Sequence, residues 1–300
     1  MLTIKVKTEV KSLSVIEKNF DLFLILPSVL VLIGLIVGPL IYTFYLSFHQ
    51  WFISSVTGPK WIGIKNFSRI FSDPHFSYSL KVTAYFTFGG LVLQILVGVG
   101  LAQFLNRPFK GRAIVRAILI LPMASTPVAI SLVWRLMLHP TLGIINYFLN
   151  LVGTGGQPWL TQRETVIFSL VLIDVWHWTP LIMLIALAGM TSVDPSLYEA
   201  GAIDGASKSQ LFWHVTLPLI RPAIVVAAML RFMDSIKTFD MIYVTTEGGP
   251  GTASRILNLY IFDVGFRYFR MGYASALVIL MTLLIMGTCL LMIKIRRSRT

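Results

Sequence analysis

The sequence predicts an all-α, polytopic membrane protein of six transmembrane helices, on three observations. Charged residues make up only 13% of the chain while 56% is apolar, and mean hydropathy is +0.78; a soluble domain carries about 25% charged residues to keep its surface wetted. Six apolar runs are each long enough to cross a hydrocarbon core about 30 Å thick, which takes about 20 helical residues. None of the runs alternates polar and apolar residues as a barrel strand does, so backbone polarity in lipid has to be satisfied within helices. This composition excludes a soluble globular enzyme, a disordered tail protein and a coiled coil. The formal charge of +12 and pI near 10.0 do not point to nucleic acid, because Lys and Arg fall between the apolar runs instead of clustering with aromatics on a polar face. Cys289 is the sole cysteine, which leaves neither an intrachain disulfide nor a multi-cysteine metal site.

The runs follow in order. The first, 22–48, is too long for a signal-peptide core and no small-residue cleavage site follows it, so it is a retained span preceded by a segment of residues 1–21. The second, 82–105, lies beyond a loop in which Asp73 can cap and Pro74 can open a short helix. The third spans 113–138 and the fourth 165–190. A stretch of about thirty residues, 191–221, separates the fourth from the fifth, 222–244; a loop of that length in a compact protein points to function. The sixth, 272–293, leads into a basic tail, 296–300, and together the spans make one domain over 22–295. Orientation follows the basic residues. With the N-terminus inside, Lys5, Lys7, Lys11, Lys18, Arg107, Lys110, Arg112, Lys208, Arg221, Lys294, Arg296, Arg297 and Arg299 are cytoplasmic. They outnumber Lys60, Lys65, Arg69, Lys81, Arg163, Arg255, Arg267 and Arg270 on the other face, so both termini are expected in the cytoplasm of a cell-membrane protein.

Ionisable groups inside a span cost on the order of 3 kcal/mol each, so each marks a site or a structural pair. The fourth run carries Asp174 and His177, with Trp178 beside them and Leu181 a turn on. The fifth carries Arg231, Asp234, Ser235 and Thr238 at i, i+3, i+4 and i+7, one helical face. Two readings stay open: Arg231 pairs with Asp234 or Asp174 to fix packing, or these groups and Trp178 line a watery cavity suited to a polyol. Catalytic and metal sites are not expected. No Gly-Lys-Ser/Thr phosphate loop, His-Glu-x-x-His pair or Gly-x-Ser-x-Gly elbow occurs, and the glycines at 248, 249 and 251 read as a turn at the membrane surface. A gradient-driven secondary transporter, or a membrane enzyme using Asp174 and His177, remain as rivals.

The 191–221 stretch reads as two short amphipathic helices interrupted at Gly205, with Pro218 ending the second and Pro222 opening the fifth span. Its Glu199, Ala200, small Gly201, Asp204, Gly205, aliphatic Val215, Leu217 and Pro218 resemble the EAA loop of binding-protein-dependent ABC importer permeases. The resemblance runs from about residue 22 to 295 and is to the sugar branch, similar to maltose, glycerol-phosphate and trehalose permeases. Gly63, Asn66, Phe67, Asp73 and Pro74 resemble its outer loop, Arg112, Pro122, Val128, Ala129, Trp134 and Gly143 its third-helix region, and Phe239, Asp240, Tyr243, Thr246, Gly272, Ala274 and Ala276 its final third. Gly201 stands where the family usually has Ala.

The resemblance implies type I ABC importer permease architecture. It implies a second permease subunit completing the pore, an extracytoplasmic solute-binding protein delivering an oligosaccharide or related polyol, and an ATPase dimer seated on the EAA loop, where Glu199 would pair with a basic residue. ATP and Mg would belong to that partner, with no cofactor on this chain and no nucleic acid. Substrate contacts would come from Asp174, His177, Trp178, Leu181, Arg231, Asp234, Ser235 and Thr238; Arg231 and Asp234 are charged where relatives often carry neutral residues.

Overall fold

The computed structural model describes residues 9–297, with side chains described over 24–294; the basic residues Lys5, Lys7 and Arg299 lie outside the described residues. It is helical almost throughout. The first helix, α1 (Glu9–Ser47), starts well before the apolar run that predicted it. Two-residue strands, His49–Gln50 and Lys60–Trp61, then pair antiparallel. A short helix, α2 (Lys65–Phe71), precedes α3 (Pro74–Asn106). Asp73 caps α3, its side chain accepting from the His75 amide, with Pro74 in the first turn. The Asp-Pro signal therefore opens the second span itself and not the short separate helix expected of it.

The third apolar run is not one rod. It is α4 (Arg112–Ala124) and α5 (Pro127–Met137), bent by 99° at Ser125 and Thr126. The cause is local: proline disfavours helical geometry in the residue before it, and Thr126 is extended (ψ 143°) ahead of Pro127 while its hydroxyl caps Ala129. After α6 (Ile144–Leu151) comes the long α7 (Arg163–Thr191), then α8 (Pro195–Ile203) and α9 (Lys208–Leu211). A π-turn over Phe212–Thr216 joins α9 to α10 (Leu217–Ile236), so helix runs without a break from Lys208 to Ile236. Pro218 does not end a helix and Pro222 does not begin one. The wider π-turn lies in the turn just before Pro218, where the ring and missing N–H would otherwise disrupt the ladder. The chain ends with α11 (Asp240–Thr246), α12 (Leu257–Phe262) with a following π-turn, and α13 (Met271–Arg297). Among the described residues five helices are long and apolar enough to cross a membrane, or six if the bent α4–α5 pair forms one broken span.

Contacts between helices fix their directions. Gly90 approaches Asp174 and Gly98 approaches Ile182, so α3 and α7 run parallel. At Gly98 the fit is close: a Cβ there would stand 3.0 Å from Ile182 and 3.2 Å from the Met183 amide nitrogen. Helix α10 runs the opposite way, since Gly189 meets Ile220 and Ala223 while Asp174 meets Arg231. Helices α1 and α13 pack together antiparallel, His49 lying against Gly272. Asp73 bonds to Tyr273, which brings the start of α3 to the start of α13. The starting end of α1, the closing end of α13 and the α8–α9 segment therefore share one end of the bundle, with the β-pair, α2 and α12 at the other. The core is divided accordingly. Val99, Leu105, Met183, Met190 and Ile220 pack near the α8 end, and Phe86, Leu170, Ile173, Ile242 and Ile256 pack beyond midspan.

Candidate functional site

The buried centre is a closed polar triangle joining three helices. Arg231 Nη2 on α10 donates to Asp174 Oδ1 and Oδ2 on α7, each at 2.8 Å. Arg231 Nε donates to Gln94 Oε1 on α3 at 3.0 Å, and Gln94 Nε2 donates to Asp174 Oδ2 at 2.8 Å. All three residues are fully buried. Of the two ion pairs open in the sequence, the structure thus forms Arg231 with Asp174. Asp234 points elsewhere, to an exposed contact with Lys237 at 3.5 Å. Gln94 was missed. Its signal was present as an amide within the otherwise apolar stretch LVLQILV, in a run, 82–105, that holds no charged group to draw attention to it.

A cavity of about 360 Å³ opens against this triangle, where Trp178 lies 4.9 Å beneath the Arg231 guanidinium. Asp174, His177, Trp178, Arg231, Asp234 and Thr238 line it, joined by Pro127, Lys237, Phe239, Asp240 and Met241. Two of the expected residues do not line it. Leu181 is half-buried a turn away, and Ser235 is buried with its hydroxyl unpartnered. The single stripe expected from Arg231 to Thr238 is interrupted because α10 stops at Ile236, before Thr238. The Asn258 amide donates to the Lys237 carbonyl at 2.8 Å, and Phe239, at the cavity wall, stacks on Tyr243 and packs at an angle against Phe262. Thr238 reaches the cavity from the loop that follows. Asp174 and His177 form no acid–base pair: the carboxylate is taken up by Arg231 and Gln94, and His177 Nε2 faces the Ser125 carbonyl at 3.3 Å.

The second site is the segment following α7. Asp194 caps α8, its carboxylate accepting from the Ser196 amide, which holds that carboxyl below its ordinary range. Glu199, Ala200 and Gly201 lie on α8, Asp204 ends it, and Gly205 takes a left-handed φ of 77° that glycine adopts without steric cost. A Ser207–Gln210 capping box then starts α9. No residue of α8 is buried, and Ile203 is 86% exposed. Gly201 is the position that packs inward, against Leu211 of the same chain. Tyr198 ties α8 to the π-turn through a 3.1 Å bond with Thr216. Leu217 and Pro218 lie past that turn, in the first turn of α10.

Residues 94–297 match the family model described as the binding-protein-dependent transport system inner membrane component. The chain belongs to this family. Such a permease is the membrane-embedded component of an ABC importer, and the gradient-driven and enzymatic rivals find no support. This permease is 34% identical over 286 residues to the trehalose/maltose transport system permease protein MalF of Thermococcus litoralis, covering 94% of this chain and 95% of that one. It is 32% identical over 283 residues to the sulfoquinovosyl glycerol transport system permease protein SmoG of Agrobacterium fabrum, covering 94% and 92%. In fold it matches a chain of a bacterial alginate ABC transporter in complex with an alginate pentasaccharide-bound periplasmic protein, with a TM-score of 0.84 at 24% identity, over 96% of this chain and 97% of that one.

Proposed function

We propose that this permease pairs with a second permease subunit to form the path for a disaccharide, oligosaccharide or related polyol, which a solute-binding protein delivers from outside. The cavity beside Trp178 is its part of that path. An aromatic face, the Thr238 hydroxyl and the charged rim of Asp234, Lys237 and Asp240 suit a ligand that is rich in hydroxyls. An ATPase dimer seats on α8 and α9, where Glu199, Ala200, Gly201, Asp204 and Gly205 form the contact and Leu217 and Pro218 pass its motion into α10. ATP and Mg belong to that ATPase, and this chain carries no cofactor. Both termini and the 191–221 segment are cytoplasmic.

The observation that carries the reading is α8: a capped, well-formed helix with nothing buried, tied by Tyr198 to the π-turn that joins α9 to the helix supplying Arg231. Exposed apolar surface rimmed by charge marks a protein contact. Single cysteines at Ile203 and Lys60 in a Cys289→Ser background, labelled from each side of sealed membranes, test the orientation. Copurification of ATPase and binding-protein subunits tests the assembly. Labelling of position 203 from outside overturns the coupling role.

A further inference from the structure

The end of the bundle away from α8 holds a cavity of about 570 Å³, bounded by α2, the first turn of α3 and the stretch from Arg255 to Arg270. Arg69, Arg255 and Arg270 line it, against one carboxylate, Asp73. That carboxylate is already engaged, accepting from the His75 amide and from the hydroxyls of Tyr260 and Tyr273. His75 Nδ1 meets Arg255 Nη2 at 2.9 Å and accepts from it, since a guanidinium can only donate. Asp263 is close enough to Arg255 for their charges to interact, but its nearest cation is Arg267 at 3.3 Å, which it shares with Glu247, and it does not line the cavity. The lining is therefore net positive.

Arg255 is the decisive group. It is only 7% exposed, lies 5.2 Å from the centre of the Tyr260 ring, and its Nε has no hydrogen-bond partner. A buried guanidinium N–H without an acceptor is costly, and charged donors make the strongest hydrogen bonds when an anion supplies the acceptor. Arg69 and Arg270 are held over the same Tyr273 ring, at 5.6 and 4.8 Å, which brings their planar forks to one region. Planar guanidinium forks match the oxygens of phosphate. The depth of the cavity names the source. Tyr273 is the third residue of the apolar span Met271–Lys294, so the cavity lies where that helix leaves the hydrocarbon, at headgroup level. Tyr268 lines it, and Phe71, Phe266 and Phe269, each within two residues of a lining residue in the chain, are exposed, as aromatic side chains are at a membrane interface.

We propose that this cavity binds the phosphate of an anionic phospholipid in the leaflet at that end of the bundle, held by Arg255, Arg69 and Arg270. The proposal stands apart from the translocation path and from α8.

Native mass spectrometry of the purified full-length permease, with whatever subunits copurify, tests it. The probes are phosphatidylglycerol, phosphatidylcholine, inorganic phosphate and a hexaglutamate peptide. One phosphatidylglycerol per chain should bind in preference to phosphatidylcholine, and Arg69→Gln with Arg270→Gln should weaken it about tenfold or more. Both side chains are at least partly exposed, so this double variant keeps its fold if Arg255→Gln does not; unchanged melting confirms that. Equal retention of the two lipids, or unchanged retention in the variant, overturns the proposal. Variant-sensitive binding of inorganic phosphate without lipid preference upholds the phosphate site and overturns the lipid source. Competition by hexaglutamate without lipid preference assigns the cavity to an acidic protein segment and overturns it.

Discussion

The centre of the bundle and α8 handle polarity in opposite ways. Asp174, Arg231 and Gln94 are fully buried and satisfy one another, so the charges hold three helices together and need nothing from outside. Helix α8 buries none of its residues, and its carboxylates Glu199 and Asp204 form no ion pair among the described residues. A charge placed in a span is thus no sign by itself of a binding group. The informative features are a buried charge left over and an apolar surface left uncovered.

The sharpest way to break that contrast is at Asp174. Asp174→Ala leaves Arg231 and the Gln94 amide buried without their acceptor, and removing one partner of a buried pair costs about 3–5 kcal/mol. Purified yield and melting temperature should fall steeply. Replacing the triangle together, Asp174→Leu with Arg231→Met and Gln94→Leu, should recover folding, because apolar groups of similar volume replace a buried ion pair at little cost. If Asp174→Ala melts like wild type, the triangle is not what joins α3, α7 and α10.

The matching change on α8 should separate folding from function. Glu199→Lys alters an exposed side chain, so stability should stay within about 0.5 kcal/mol of wild type. Uptake and retention of the ATPase should be lost, since reversing a charge at a docking surface places like charges together. Wild-type uptake in this variant removes α8 from the coupling path.

Much of this was legible before the structure. Five of the apolar runs lie mainly on long helices, since length and hydropathy decide a span almost alone, although the fifth, 222–244, outlasts α10, which stops at Ile236. The misses in the path of the helices share one cause: local chemistry that periodicity does not register. Pro127 forces Thr126 extended and folds the third run back by 99°, and the π-turn at Phe212–Thr216 lets helix pass Pro218 and Pro222. Within the site, the i, i+3, i+4, i+7 spacing assumed a helix that reaches Thr238. Asn258, far along the chain, receives the helix end at Lys237, a tertiary contact that no local pattern announces. Arg231 could be paired with Asp174 or Asp234 from spacing alone. Burial chose Asp174, because only that geometry also engages Gln94.

Between the two extremes stands the cavity, whose groups are partly committed. Trp178→Ala removes the ring beneath Arg231, the face proposed to meet a sugar, while leaving the Asp174–Arg231 bonds in place. Uptake should show a KM raised about tenfold, about 1.4 kcal/mol for one lost aromatic platform, with stability changed less than in Asp174→Ala. Thr238→Ala should give a smaller shift in the same direction. An unchanged KM in both variants moves the sugar elsewhere.

The smallest effect is expected at Asp73, which is half-buried and so intermediate between the triangle and α8. Burial alone would raise its carboxyl, but the hydroxyls of Tyr260 and Tyr273 and the amides of His75 and Phe76 outweigh it and hold the group below the ordinary carboxylate range. A carboxyl whose folded pKa is depressed contributes stability that is fully present above its unfolded value, about 3.9, and disappears as pH falls through the lower folded value. Asp73→Asn keeps a carbonyl oxygen to accept from the tyrosines and loses the charge. Wild type should therefore melt above the variant at a constant margin from about pH 7 down to about pH 5, and the margin should close below about pH 4 as the wild-type carboxyl protonates. The Tyr260 phenol is pushed upward by burial and by this carboxylate, so it stays a donor across the whole range. A margin that persists to about pH 2.5 would show that shape alone holds α3 to α12 and α13, and that the charge on Asp73 does not.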